Sequence, residues 1–320
     1  MKRSASSLFL FFILWSSLFV ILSIQTVKTQ LTYNTATIRA DGTIDPDTAP
    51  IQRVGDIYTL TGDMDIIVVQ RSNMILDGNG HTLTPYGAVA SYAVHMWNVN
   101  NVTIKNLIIN GGDVGISLDR CSNVTISGNT ITGVNVPVPE LQATAGIYVW
   151  EGSSHIITEN HIANNHIGIY LYESSNSSIS GNNITNNKYG ILFWEASNNI
   201  IYHNRLINNT VQVYDVGVYS PDRASPSVNN WDNGTTGNYW SDYNGTDNNR
   251  DGIGDTPYVI YENNQDNYPF MNPDLILLSS DTTPPFPITL IVAAIVIVVA
   301  VGAGLLFYFI KVKKTTVKTE

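Results

Sequence analysis

Five short segments end in a matching pair of side chains: Trp97–Asn98, Asp119–Arg120, Trp150–Glu151, Tyr172–Glu173 and Trp194–Glu195. Each pair closes a run that alternates with period two: AVHMW, GISLD, GIYVW, GIYLY and GILFW. With Val94, Ile116, Ile147, Ile169 and Ile191 turned inward, Met96, Leu118, Val149, Leu171 and Phe193 turn inward too, and alternate positions face out. One outward column then reads Trp97, Asp119, Trp150, Tyr172, Trp194; another reads His95, Ser117, Tyr148, Tyr170, Leu192. Rings stacked on a rigid sheet and rimmed by carboxylates suit carbohydrate: sugar C–H faces pack on the rings and acids accept hydroxyl hydrogen bonds. The candidate carbohydrate-binding residues are Trp97, Asp119, Trp150, Glu151, Tyr172, Glu173, Trp194 and Glu195. The competing role is purely structural, cross-strand aromatic stacking with the inserted residues 133–142 folded over the rings. Glutamates on neighbouring strands repel unless Arg120, a sugar or a cation relieves them, which favours a ligand.

A second candidate is DNNRDGIGD, residues 247–255. Oxygen-bearing side chains at alternate positions, with glycine at the sixth for a sharp turn, meet the needs of a calcium loop. Asp247, Asn249, Asp251 and Asp255 would supply side-chain oxygens and Ile253 a carbonyl, giving a structural Ca²⁺ site. The twelfth position is Tyr258, not the bidentate Glu of an EF-hand, and an ordinary Asn/Asp/Gly turn is the alternative. Copper sites gather His, Cys or Met. Here six histidines are scattered and Cys121 is the single cysteine, so a copper site is not expected. One cysteine also excludes an internal disulfide framework and a Cys-cluster zinc site. Neither a nucleophile elbow nor a phosphate loop occurs. The net charge of −10 argues against nucleic acid, whose binding needs phosphates neutralised.

The elements that position these residues emerge from a repeat. SSHIITENHIANNHIGIYLYES (153–174), SNSSISGNNITNNKYGILFWEA (175–196) and SNNIIYHNRLINNTVQVYDVGV (197–218) align with a period of 22. Asn160, Asn182 and Asn204 share one position; Ile157, Ile179 and Ile201 share another. The unit 122–152 has the same pattern with nine extra residues, and looser units precede it, so that six or seven cover most of 57–218. Each holds short β-branched stretches separated by Asn and Gly. Twenty-two residues are too few for a strand-plus-helix crossover but fit three strands and three bends. Stacked in parallel, such units form a right-handed parallel β-helix whose coils rise about 4.8 Å each. Asparagine repeated at one bend forms a side-chain amide ladder and tolerates left-handed backbone. That bears on composition: charged residues are only 13%, while asparagine numbers 35 against 16 Lys plus Arg. Such a chain is not a surface-charged helical bundle.

These repeats resemble the right-handed β-helix of NosD-type proteins, a group described as periplasmic copper-binding with carbohydrate-binding and sugar-hydrolase repeats. Two flanking stretches are similar to its cell-surface, archaeal-type members: IRADGTIDPDTAPIQRVGDIYTLTGD…LDGNGHTL (38–83) and GNYWSDYNGTDNNRDGIGDTPYVI (237–260). The resemblance implies the all-β solenoid. It also implies, as functional options, sugar binding, a polysaccharide-active enzyme, or an accessory factor in copper-enzyme maturation. For the enzyme, Asp119, Arg120 and Glu151 stand in adjacent columns. No polygalacturonase signature and no Asp-Pro-His-Asp of alginate epimerases accompanies them.

The ends place this solenoid. Residues 1–30 open with Lys2 and Arg3, run uncharged through Leu8–Ile24 and turn polar at Gln25, the layout of a signal peptide. No clear small-residue cleavage site follows, so an uncleaved anchor stays open. Ile288–Ile310 is an uncharged run of 23 residues, long enough to span a membrane. Lys311, Lys313, Lys314 and Lys318 follow, which places the tail in the cytoplasm. Seven of the 16 basic and one of the 26 acidic residues lie in these ends, so the rest carries about −16, suiting a cation-rich exterior. The expected organisation is 1–30 signal or anchor, 31–56 entry cap, 57–218 β-helix, 219–280 C-terminal cap, 281–287 Pro-rich spacer, 288–310 membrane helix and 311–320 basic tail. The expected protein is a single-pass cell-membrane, outward-facing module that contacts glycans or cell-surface components, binding rather than catalysing.

Overall fold

A computed structural model describes residues 34–85, 91–134 and 144–278. The chain divides into two compact units, Met1–Pro273 and Asp274–Glu320. Of the second, the described part is the helical turn Leu275–Leu278 with the residue before it. The expected signal segment, spacer, membrane helix and tail lie outside the described residues, as does most of the insertion at 133–142. Among the described residues no helix is long and apolar enough to cross a membrane.

In the first unit the chain visits three sheets in turn, as a parallel β-helix does. The first sheet has nine strands, running from the edge strand Ile44–Asp45 through Tyr92–Trp97, Val114–Asp119, Ala145–Trp150, Ile167–Tyr172 and Tyr189–Trp194 to Val211–Asp215. The second has eight strands and the third seven. Apart from the antiparallel pairs at the N-terminal edges, neighbours are parallel and in strict register. Ile147, Ile169 and Ile191 stack in the first sheet, Ile157, Ile179 and Ile201 in the second, Ile162, Ile184 and Leu206 in the third. All nine are fully buried. β-Branched side chains suit this interior because their restricted rotamers fit a pleated, packed surface.

The corners explain the asparagine. Left-handed backbone recurs four times per coil, at 98/101/106/111, 120/123/128/133, 151/154/159/164, 173/176/181/186 and 195/198/203/208. Nine of these twenty residues are Asn and four are Gly, the types that tolerate this conformation best. Three strands therefore meet at three bends, the first of which uses two left-handed residues.

The residue after each corner points inward, and where it is polar its side chain accepts an N–H of the preceding coil. Asn160 N and Nδ2 donate to Asn182 Oδ1 (3.0 and 3.0 Å), and Asn182 donates the same pair to Asn204 Oδ1 (3.0 and 2.9 Å). Asn129 begins this expected ladder; Asn238 and then the carboxylate of Asp266 end it. Two further ladders run beside it, Asn165–Asn187–Asn209 and His155–Ser177–Asn199–Asn229–Asn264. Each buried backbone N–H of these corners thus has an acceptor, which such groups require. Close approach fixes one more column: a Cβ on Gly115, Gly146, Gly168 or Gly190 would lie 2.4–2.9 Å from the next coil's carbonyl oxygen. At the C-terminal end Trp231 and Trp240 are buried, and Trp231 meets Phe193 edge-on at 5.8 Å.

Candidate functional site

The parallel register of the first sheet turns sequence columns into spatial ones. Trp97, Asp119, Trp150, Tyr172 and Trp194 are successive partners across five strands, as are His95, Ser117, Tyr148, Tyr170 and Leu192. Both columns lie on the outer face, opposite fully buried Met96, Leu118, Val149, Leu171 and Phe193. Trp97 is exposed at 58%; Asp119, Trp150, Tyr172 and Trp194 are half-buried. The rings form a continuous series: Trp150 meets Tyr172 edge-on at 6.3 Å, Tyr172 meets Trp194 at 5.4 Å, and Tyr148 meets Tyr170 at 5.0 Å. A third outward column, Tyr92, Val114, Ala145, Ile167 and Tyr189, escaped the sequence reading. It precedes the glycine column, where simple alternation breaks.

The charged rim sits at the corner that follows. Asn98, Arg120, Glu151, Glu173 and Glu195 all have left-handed backbone, φ 46–51°. Arg and Glu pay a steric cost there that Asn or Gly largely avoids, about 1–2 kcal/mol per residue. Arg120 Nε donates to Glu151 Oε2 at 2.8 Å while its guanidinium lies 5.4 Å from the centre of the Trp150 ring. Glu195 Oε1 accepts from Ser225 N at 2.9 Å. Glu173 is exposed beside Tyr172, whose hydroxyl is held above the ordinary phenol range by burial and then by Glu173. So the carboxylates are brought to one rim, but Arg120 relieves one and the cap engages another.

The two ends of the face differ. Toward the C-terminus, Ala145, Ile167, Tyr170, Leu192, Val216 and Ala224 form a separate hydrophobic cluster outside the sheet, with Tyr148, Tyr172, Tyr189, Trp194 and Tyr214 packed on it. Tyr170 and Leu192 are buried there. Toward the N-terminus Trp97 stays exposed, and His95 stacks on Tyr92 at 4.8 Å. A recess of about 460 Å³ lies elsewhere, in the cap beside Asn230, Asp232 and Gln265. Its polar atoms largely satisfy one another: Asn267 donates to Asp232, and Gln265 to Asn267.

In the loop 247–255 the expected ligand oxygens hold backbone N–H groups. Asp247 Oδ1 accepts from Arg250 N and Oδ2 from Gly252 N, Asp251 Oδ1 from Ile253 N, and Asp255 Oδ2 from Asn248 N. Asn249 Nδ2 donates to Asp251 Oδ2 at 2.9 Å. This is the hydrogen bonding of Asx turns.

The histidines go separate ways. His81 meets Asp63, His161 meets Asn183, His203 meets Thr236, and His166 lies against Tyr189. His155 is interior: its Nδ1 accepts from Val124 N, Nε2 is enclosed without a partner, and burial pushes its pKa down to about 4. Cys121 is buried, with its thiol pushed up by that burial.

The sequence profile of the family described as periplasmic copper-binding protein (NosD) matches residues 26–245. No curated protein matches the chain. The copper in that description does not fit the side chains present. Among the described residues no group of three or more His, Cys, Asp or Glu is placed to hold a metal ion. All six histidines and the cysteine are among those residues.

Proposed function

The chain belongs to the NosD family, and from that premise we propose that its β-helix is an extracytoplasmic, membrane-tethered module that contacts glycans through the outer face of the first sheet. The observation that carries this reading is the rim. Arg and Glu occupy left-handed corners beside the aromatic column, where Asn or Gly would strain the backbone less. A costly charge next to a half-buried ring is chemistry for hydroxyl groups and sugar C–H faces. The coil spacing of about 4.8 Å also lets successive rings of an extended glycan meet successive coils.

The test is binding of the purified full-length protein to a glycan array. Trp150→Ala is expected to remove binding while leaving the melting temperature within a few degrees; undiminished binding would overturn the reading. Family membership favours a second reading, an accessory role in maturing a copper enzyme. Stoichiometric, tight copper uptake would support it, although the dispersed histidines offer no evident site.

A further inference from the structure

One coil interrupts the aromatic face. In the register across three strands, Ser117 stands between His95 and Tyr148, and Asp119 between Trp97 and Trp150. Small polar side chains are thus flanked by large rings about 4.8 Å away on each side. The result is a notch one coil wide. Ser117 at its floor is 4% exposed.

The polar groups around this notch are not matched to one another. Asp119 Oδ1 is enclosed and has no hydrogen-bond partner; its nearest cation, Arg120 Nε, is 3.9 Å away and already donates to Glu151. The side chains of Tyr92, His95, Ser117 and Tyr148 make no hydrogen bond among the described residues either, although His95 and Tyr148 both sense the charge of Asp119. Burial holds the His95 imidazole below its ordinary range and the Tyr148 phenol above its own. Both are therefore neutral near pH 7, and each can donate one hydrogen bond and accept another. Buried carboxylate oxygens seldom lack a donor, and where one does, the site calls for an explanation. The corresponding positions two coils on, Tyr170 and Tyr172, lie within or against the apolar cluster and have no such carboxylate.

We propose that Tyr92, His95, Ser117, Asp119 and Tyr148 form a single subsite for one neutral sugar residue, held between Trp97 and Trp150. This deepens the glycan reading above and rests on it. The Asp119 carboxylate, which keeps about a fifth of its side-chain surface exposed, accepts a ring hydroxyl, Tyr148 and His95 bond its neighbours, and an indole faces the C–H surface. The ligand is neutral because Asp119 and Glu151 repel a uronate, and the one guanidinium nearby is already paired.

The experiment measures calorimetric binding of the full-length protein to matched hexasaccharides, one set neutral (cello-, manno- and xylo-) and one uronate (galacturonate and mannuronate). Asp119→Asn is expected to weaken neutral-sugar binding by roughly tenfold or more, the worth of about one buried charge-assisted hydrogen bond, and Ser117→Leu by a similar factor because its side chain fills the notch. Unchanged affinity in both variants, with binding lost in Trp194→Ala, would overturn the subsite and leave the glycan face standing. Preference for uronates would overturn the neutral ligand. Absence of binding to every oligosaccharide would overturn both readings together.

Discussion

The two halves of the first sheet's outer face are built from the same columns and end in opposite states. In the C-terminal half the column residue is Leu192, fully buried under Val216 and Ala224, and the rim residue Glu195 holds the backbone of Ser225. In the N-terminal half the same column supplies Ser117, the neighbouring column supplies a carboxylate with an unpartnered oxygen, and Trp97 lies open. One half has its outward chemistry absorbed by packing against the cap; the other leaves polar groups unpaired, with Trp97 open beside them. A repeat fixes where a side chain points, and only the segment folded over it decides whether that side chain stabilises or binds.

The largest break in this contrast comes from exchanging column residues. Leu192→Ser should cost on the order of 4 kcal/mol, from lost transfer energy, a cavity and a buried hydroxyl with no designed partner. Ser117→Leu should cost less, about 1–3 kcal/mol, since it adds methyl groups to a position only 4% exposed without opening a cavity. Urea denaturation of both variants checks this. Equal costs would mean that the N-terminal half is as tightly closed as the C-terminal one.

The closed half depends on the cap, and the cap ends on a buried acid. Asp266 Oδ2 accepts from Asn238 N at 2.6 Å and Trp240 Nε1 at 2.9 Å, and Oδ1 from Tyr268 N at 3.0 Å. Burial pushes its pKa up to about 6, against an ordinary 3.8, and these hydrogen bonds offset only part of that. A carboxyl whose folded value is raised contributes stability that is complete below pH 4 and lost as pH rises through 6. The change is up to about 3 kcal/mol. Thermal unfolding from pH 4 to 7 should show this slope in the native chain and a flatter one in Asp266→Asn. Identical slopes would remove Asp266 as the cause.

Next in size is the tryptophan pair. Trp194 packs on the closed cluster, so Trp194→Ala should cost about 2 kcal/mol. Trp150 packs edge-on against Tyr172 and under Arg120, so Trp150→Ala should cost about half as much yet lose more of any glycan affinity. Chemical denaturation and array binding on the same preparations separate the two effects. A reversed order would assign the binding face to the C-terminal half.

How much of this was legible in the sequence follows from what repeats. The inward columns were readable because Ile, Val and Leu recur at one spacing, and the ladder at Asn160, Asn182 and Asn204 because one residue type recurs. The other ladders were hidden by substitution: His155, Ser177 and Asn199 do the same job with three different side chains. The twenty left-handed residues could not be read from Asn and Gly alone, since Arg120, Glu151, Glu173 and Glu195 are among them too. The five column residues share one face and the three glutamates follow at its corner, but which of them the cap covers depends on Val216, Ala224 and Ser225, at and beyond the end of the last repeat. The loop 247–255 illustrates a different limit. Alternating oxygens describe both a cation's ligands and a turn's backbone caps, and here the same carboxylates accept N–H bonds.

The finest test separates two glutamates that the repeat makes equivalent. Glu195 and Glu173 occupy one column, and both are exposed. Glu195 Oε1 accepts the Ser225 N–H, so Glu195→Gln keeps an acceptor and should change stability by a few tenths of a kcal/mol, and binding not at all. Glu173 has no backbone to hold and lies beside Tyr172 in the aromatic series, so Glu173→Gln should leave stability unchanged and weaken glycan affinity a few-fold. Titration of both variants against one glycan resolves the difference. If the two lose affinity equally, the rim works as one continuous acidic edge, and the boundary between an absorbed half and an available half must lie closer to the cap than Leu192.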